Sequence, residues 1–144
     1  MMKFNKGFVT LVIGLPGSGK TYYVKQNLGN GVVFDLDHIA AALRLQDPHV
    51  GRHEPARMIS NDLLNDFMSK ARLHAKSIYV IRTAPSIFEL SQIKPNKIIV
   101  CKGSYNITQR PDYMPVNRNE CLGKIQTVIN YAKTQNIPLE EIKE

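Results

Sequence analysis

The chain has 144 residues, the size of one ordinary domain. Hydrophobic residues make up 43% of it and charged residues 22%, a globular mixture that excludes disorder, collagen and coiled coil as whole-chain structures. The formal net charge of +7 favours an anionic partner, such as a nucleotide, a nucleic acid or another phosphate compound, although a basic surface without such a partner is equally consistent with it.

The sequence also bears on where the protein works. No apolar run approaches the roughly 20 residues of a membrane span, and the N-terminus does not read as a signal peptide because glycine and proline interrupt the apolar run after it. Two cysteines, Cys101 and Cys121, are too few for a disulfide framework and are expected to be small apolar fillers. We expect a reduced, cytoplasmic protein with a single domain over residues 1–144 and no membrane partner.

Predicted strands alternate with predicted helices along the chain. Short β-branched apolar runs are typical of strands buried on both faces of a parallel sheet, and apolar residues spaced by 3.6 indicate helices. In chain order, the predicted elements are strand Gly7–Ile13, a glycine-rich turn Gly14–Thr21, helix Thr21–Leu28, strand Val32–Phe34, helix His38–Leu45, helix Ala56–Lys76, strand Ile78–Ile81, a helix capped by Ser86 and ending at Leu90, strand Lys97–Cys101, a short helix opened by Gly103 and Ser104, helix Asn117–Gln135 and a charged tail Ile137–Glu144. This order predicts an α/β fold of three α/β/α layers with a parallel sheet of about four to five strands. Met58 and Met68, in the longest predicted helix, are expected to fill the core.

The glycine-rich turn carries the strongest chemical signal. Gly14-Leu15-Pro16-Gly17-Ser18-Gly19-Lys20-Thr21 fits G-x-x-x-x-G-K-S/T without a gap, after an apolar strand and before a helix. Glycines let successive backbone N–H groups point into one concavity, and the helix adds the positive end of its dipole. In this pattern the lysine bridges the β- and γ-phosphates and the threonine hydroxyl can coordinate Mg²⁺. All eight residues are therefore candidates for binding ATP, with Lys20 also a catalytic candidate and Thr21 a metal ligand.

On these residues the chain resembles the P-loop NTPases, and it is similar to their small-kinase branch of polynucleotide kinases, zeta-toxin-like kinases and adenylylsulfate or nucleoside kinases. The specific resemblance covers Gly14–Thr21 and the strand end Asp35-Leu36-Asp37. It implies that Asp37 accepts the proton of the acceptor hydroxyl and that Asp35 orients a water of Mg²⁺ or assists Asp37. Alternation along an extended strand would put both carboxylates on one side, and Asp37 could also cap the helix from His38.

The chain departs from these families in two places. The third predicted strand is followed by Arg82 and Thr83 where P-loop ATPases usually hold an aspartate, so motor-type ATPases and GTPase switches are not expected. Ala40 stands where polynucleotide kinases often carry an acceptor-binding arginine, which weakens the case for a nucleic-acid 5′-end as acceptor.

Four arginines are candidates to face the transferred phosphoryl group or its acceptor, because phosphoryl transfer needs cations there. Arg82 follows a strand at the edge where doubly wound sheets bind ligands, and it is a catalytic candidate. By resemblance to the lid arginines of small kinases, Arg110 and Arg118 are candidates for nucleotide binding, and Tyr105–Arg118 is predicted to close over the nucleotide. Arg44 could reach an acceptor from the second helix. For each, a solvated surface arginine is the simpler alternative.

Three functions remain open from the sequence. The first is a small kinase that transfers the γ-phosphoryl group of ATP·Mg²⁺ to a hydroxyl or phosphate acceptor. The second is an ATP-binding protein or slow NTPase of phage type that serves nucleic-acid processing without a small acceptor, which the positive charge and Ala40 favour. The third is a catalytically silent, nucleotide-dependent interaction module. The motif does not discriminate ATP from GTP.

Overall fold

The computed structural model describes residues 7–48, 51, 53–103 and 118–143, without the side chain of residue 118. In chain order its elements are β1 (Phe8–Gly14), α1 (Lys20–Asn27), β2 (Val32–Asp35), α2 (Leu36–Ala42), α3 (Glu54–His74), β3 (Ser77–Ile81), α4 (Ile87–Ile93), β4 (Lys97–Cys101), α5 (Arg118–Thr134) and β5 (Leu139–Ile142). The strands form one five-stranded, all-parallel sheet in the order β2-β3-β1-β4-β5. The predicted α/β class and strand number are confirmed, and the arrangement is compatible with three α/β/α layers. None of the described helices is long and apolar enough to cross a membrane.

The strand order changes direction at the central strand, β1: earlier strands are added on one side of it and later strands on the other. From β1 the chain passes through α1 to β2 at one edge, whereas from β3 it passes through α4 to β4 on the other side of β1. In open parallel sheets, ligands bind beyond the carboxyl ends of the strands at such a reversal. The turn that follows Gly14 lies at this point, and the carboxyl ends of β2 and β3 lie on the same side of the sheet as the turn.

The helices cover the two faces of the sheet unequally. Alternate side chains of β1 enter two separate apolar clusters, because successive residues of a strand point to opposite faces. On one face α3, α4 and α5 bury Leu64, Leu90 and Val128 against the sheet. On the other face α1 contributes Val24. Within the described part of the chain, fewer helices therefore pack on the face covered by α1 than on the opposite face.

The long helix α3 buries a narrower stripe than predicted. Its buried residues recur every three or four positions and are Ala56, Ser60, Leu64, Met68 and Ala71. Met68 is 1% exposed, as expected of a core residue, but Met58 is 63% exposed, so the prediction for Met58 was wrong. Met58 lies off this stripe because at 3.6 residues per turn it projects about 120° away from Leu64.

Four to five strands were expected from the sequence but only four were located in it, and β5 was not among them. β5 pairs in parallel with β4 although two of its four residues, Glu140 and Glu141, are charged. Both carboxylates form ion pairs with lysines on or beside β4. A carboxylate oxygen of Glu140 lies 3.0 Å from the ammonium of Lys97, and one of Glu141 lies 3.0 Å from the ammonium of Lys102. An edge strand tolerates charge because part of its surface stays in water. Of the short helix predicted to open at Gly103 and Ser104, only Gly103 lies within the described residues.

Gly123 offers a test of local helix energetics. It lies on the exposed side of α5, and a Cβ built on it would meet nothing within 4 Å. Glycine in a helix interior costs about 0.5–1 kcal/mol relative to alanine. We therefore expect Gly123→Ala to raise the free energy of unfolding by about 0.5–1 kcal/mol in urea denaturation. A decrease would show that α5 is not helical at this point.

Candidate functional site

The turn between β1 and α1 depends on glycine at two positions with left-handed backbone conformation. Gly17 has φ +78° and Gly19 has φ +95°, values that a side chain strongly disfavours. The turn is closed by a hydrogen bond of 3.0 Å from the backbone N–H of Ser18 to the carbonyl of Leu15. The chain thus folds tightly back before α1 begins.

A third glycine, Gly14, lets the turn pack against the neighbouring strand. A Cβ at Gly14 would lie 2.4 Å from Ser18 Oγ and 2.6 Å from the carbonyl oxygen of Cys101, distances that no side chain could occupy. Ser18 is only 4% exposed, and its hydroxyl has no hydrogen-bond partner among the described residues. A buried hydroxyl without a hydrogen-bond partner is uncommon. The hydroxyl of Ser18 lies against Gly14 within the folded turn.

The N-terminus of α1 is not capped by its N-cap residue, although the carboxylate of Asp35 lies beside its first turn through a hydrogen bond from Thr21. Its N-cap, Gly19, has no side chain to accept a hydrogen bond, and the first turn carries no acidic residue. The first N–H groups of a helix have no partner within the helix, and they carry the positive end of its dipole. These N–H groups form a set of donors suited to an anion that presents several oxygen atoms.

Lys20 is folded over the same turn. Its ammonium donates hydrogen bonds of 2.9 Å to the carbonyl oxygens of both Gly14 and Leu15. Burial raises the pKa of the Cys101 thiol, and the positive charge of Lys20 opposes that shift. The ammonium of Lys20 therefore lies beside the turn, within hydrogen-bond distance of two of its backbone carbonyls.

Asp35 joins the start of α1 to the start of α2. It lies at the end of β2 and is buried, and its Oδ2 accepts a hydrogen bond of 3.2 Å from the hydroxyl of Thr21. His38 Nδ1 lies 2.8 Å from the same oxygen. Sequence reasoning named Thr21 and Asp35 as metal ligands, and the structure places their oxygen atoms side by side.

The cap of α2 differs from the predicted one. Asp35 Oδ1, rather than Asp37, accepts from the first N–H groups of the helix, those of Asp37 at 3.1 Å and His38 at 3.5 Å. The helix therefore begins at Leu36, two residues earlier than predicted, and Asp37 lies in its first turn. The expectation that both acids share one side of an extended strand was wrong, because the strand ends at Asp35.

Asp37 is held by a residue that sequence reasoning did not single out. Its Oδ1 accepts a hydrogen bond of 2.6 Å from Nη1 of Arg57, and the two side chains are 37% and 23% exposed. Arg57 belongs to the first turns of α3, which packs beside α2. No local spacing could have indicated this contact, because it depends on how the two helices are placed in the fold.

Arg82, the catalytic candidate at the end of β3, is engaged by two other helices. Its Nη1 donates 2.8 Å to the side chain of Asn61 in α3, and its Nη2 lies 2.7 Å from Glu89 in α4. Burial lowers the pKa of the Arg82 guanidinium and Glu89 opposes that shift, with smaller contributions from Arg57 and Asp37. Arg82 thus lies within electrostatic range of Asp37, although its hydrogen bonds go to α3 and α4.

The remaining candidates are less well placed. Arg44 is exposed in the turn after α2. Arg110 and most of the predicted closing segment Tyr105–Arg118 lie outside the described residues, and of Arg118 only the backbone, at the start of α5, is described.

Comparison with known proteins adds no assignment. No protein-family model and no curated protein sequence matches the chain. Functional interpretation therefore depends on the residues and contacts described above.

Proposed function

We propose that the chain is a small P-loop kinase, which binds ATP·Mg²⁺ at Gly14–Thr21 and transfers the γ-phosphoryl group to a hydroxyl or phosphate acceptor. The observation that carries the proposal is the turn itself. It combines the complete motif with a helix N-terminus that has no side-chain cap, at the point where the strand order changes direction across the sheet.

The residues of the turn would divide the work of holding a triphosphate. The N–H groups at the start of α1 would donate to phosphate oxygens, which supplies partners that the helix itself does not provide. The Lys20 ammonium exchanges two neutral carbonyls for anionic oxygens, and charge-assisted hydrogen bonds are roughly twice as strong as neutral ones.

Two oxygen ligands support a magnesium ion beside this turn. Mg²⁺ is commonly bound through one or two carboxylates together with substrate phosphates and water, and Asp35 with the Thr21 hydroxyl fits that requirement. Bound Mg²⁺ neutralises charge on the β- and γ-phosphates. Asp35 keeps its capping contacts through Oδ1, and an ion at Oδ2 would take the place of the contacts that this oxygen makes with Thr21 and His38.

Replacing Asp35 by Asn should weaken the magnesium dependence without unfolding the protein. Asparagine caps helices about as well as aspartate, so the cap of α2 should be kept, while loss of the Oδ2 contacts with Thr21 and His38 should lower the melting temperature moderately and leave the protein folded. We expect the Mg²⁺ concentration that half-saturates ATP binding in calorimetry to rise by about 10-fold or more. Asp66→Asn, in an exposed pair with Lys70, is the matched control. Equal magnesium dependence of all three proteins would exclude Asp35 as a ligand.

Asp37 is the proposed base for a hydroxyl acceptor. Its carboxylate lies in the first turn of α2, two residues beyond Asp35, and it is partly open to solvent, so an acceptor could reach it. As the acceptor oxygen bonds to the γ-phosphorus and the bond to the β,γ-bridging oxygen breaks, the carboxylate takes the hydroxyl proton and ADP leaves.

A second function, an ATP-binding protein or slow NTPase in nucleic-acid processing, is favoured by the net charge of +7 and by Ala40. Ala40 is 7% exposed, so this position of α2 is part of the interior and offers no acceptor-binding cation.

Label transfer distinguishes these functions. γ-Labelled ATP is incubated with the protein and with nucleosides, nucleotides or 5′-hydroxyl oligonucleotides in turn. Label recovered on an acceptor is the expected result for a kinase. Release of labelled phosphate that DNA or RNA stimulates, with no labelled acceptor, would replace the kinase by the second function.

A further inference from the structure

The carboxylate proposed as the base receives its cation from a different helix. α2 contains neither lysine nor arginine. The guanidinium at Asp37 comes from Arg57 in α3, at 2.6 Å. An arginine in this position can set the direction of a carboxylate, because its planar group donates in fixed directions.

The helix that carries Arg57 makes further polar contacts with the rest of the fold. One turn later, Asn61 accepts from Arg82 at 2.8 Å, and Arg82 pairs with Glu89 at 2.7 Å. Glu89 is locked by the capping box that it forms with Ser86 at the start of α4. These contacts tie α3, one turn beyond Arg57, to the end of β3 and to α4, and α3 also packs against α2.

The two arginines consequently differ in what they can do. Arg82 is 15% exposed and directs both terminal nitrogens to α3 and α4. Arg57 contacts Asp37 through Nη1, and no other polar contact of its guanidinium occurs within the described residues. Of the two, Arg57 is the one whose known contact is with the proposed base.

We infer that Arg57 is a positioning residue, which holds the Asp37 carboxylate toward the acceptor, and that Arg82 braces the helix that carries it. This inference rests on the proposed kinase function, and it applies to a hydroxyl acceptor, because only a hydroxyl must lose a proton to a base. A misplacement of about 1 Å can lower the rate of an enzyme about 10²-fold.

The test compares Arg57→Gln and Arg57→Lys with Arg72→Gln. Arg72, on the same helix, donates to the carbonyl of Ile93 at the end of α4 and serves as the control for loss of an α3 arginine. Turnover of γ-labelled ATP is measured with nucleosides and with 5′-hydroxyl oligonucleotides as acceptors. If none of these acceptors becomes labelled, hydrolysis of ATP by water is measured instead. KM for ATP and the melting temperature are measured for each variant.

We expect Arg57→Gln to lower kcat by about 10–100-fold with KM for ATP within about twofold, and Arg57→Lys to recover part of the loss. Arg72→Gln should lower the melting temperature and leave kcat within about threefold at a temperature where it is folded. A normal kcat in Arg57→Gln, or a loss of kcat that merely follows its melting temperature, would overturn the inference. Failure of the wild-type protein to bind ATP would instead overturn the proposed function, and the inference with it.

Discussion

Asp37→Asn should reduce turnover by about 10²–10⁴-fold while leaving nucleotide affinity almost unchanged. The substitution keeps the size of the side chain but removes the charge and the ability to take a proton from an acceptor. Because Asp35 rather than Asp37 caps α2, the replacement does not disturb the helix cap.

The expected effect on stability is small. The pair with Arg57 is partly open to water, and exposed ion pairs contribute about 0–1 kcal/mol. Loss of a negative charge from the first turn of α2 costs about 0.3–1 kcal/mol more. The two costs together are at most about 2 kcal/mol, so the melting temperature should fall by less than about 10 °C and the protein should stay folded. The measurements are kcat at saturating ATP, Kd for ATP by calorimetry, and a thermal melt, with Asp66→Asn as the surface control. Turnover within about twofold of wild type would end the assignment of Asp37 as the base.

Lys20→Ala should weaken ATP binding by about 10–100-fold. Hydrogen bonds to charged groups contribute about 1.5–3 kcal/mol, and each 1.4 kcal/mol corresponds to a tenfold change in Kd. The variant also loses the two contacts from the ammonium to the carbonyls of Gly14 and Leu15. The contact with Gly14 joins the start of α1 to the end of β1, but the short segment of residues 15–19 already connects these two elements covalently, so we expect a folded protein with a similar melting temperature.

Local patterns predicted the regular elements well. β4 has the predicted bounds, and β1 and α1 are each displaced by a single residue, because apolar runs and the glycine-rich turn are strong local signals. β5 was missed because its Leu-Glu-Glu-Ile sequence has no apolar run. It becomes a strand through parallel pairing with β4 and through the lysines that meet its two glutamates.

The candidate site could be proposed from the sequence where it is contiguous in the chain and not where it depends on tertiary contacts. The eight residues Gly14–Thr21 follow one another from the end of β1 to the start of α1, so a sequence pattern can group them. The contact between Thr21 and Asp35 joins two elements, yet both residues had been named. Arg57 was not named, since its contact with Asp37 arises only when α3 lies beside α2.

Calorimetric titration of ATP·Mg²⁺ into the wild-type protein, Lys20→Ala and Lys25→Ala tests the central claim most directly. Lys25 lies in the last turn of the same helix and is exposed, so its variant makes the same change of charge away from the turn. We predict equal Kd values for wild type and Lys25→Ala, and a Kd about 10–100-fold higher for Lys20→Ala at a similar melting temperature. Equal affinity in all three proteins, or no binding to the wild type, would contradict the proposal that Gly14–Thr21 holds a nucleoside triphosphate.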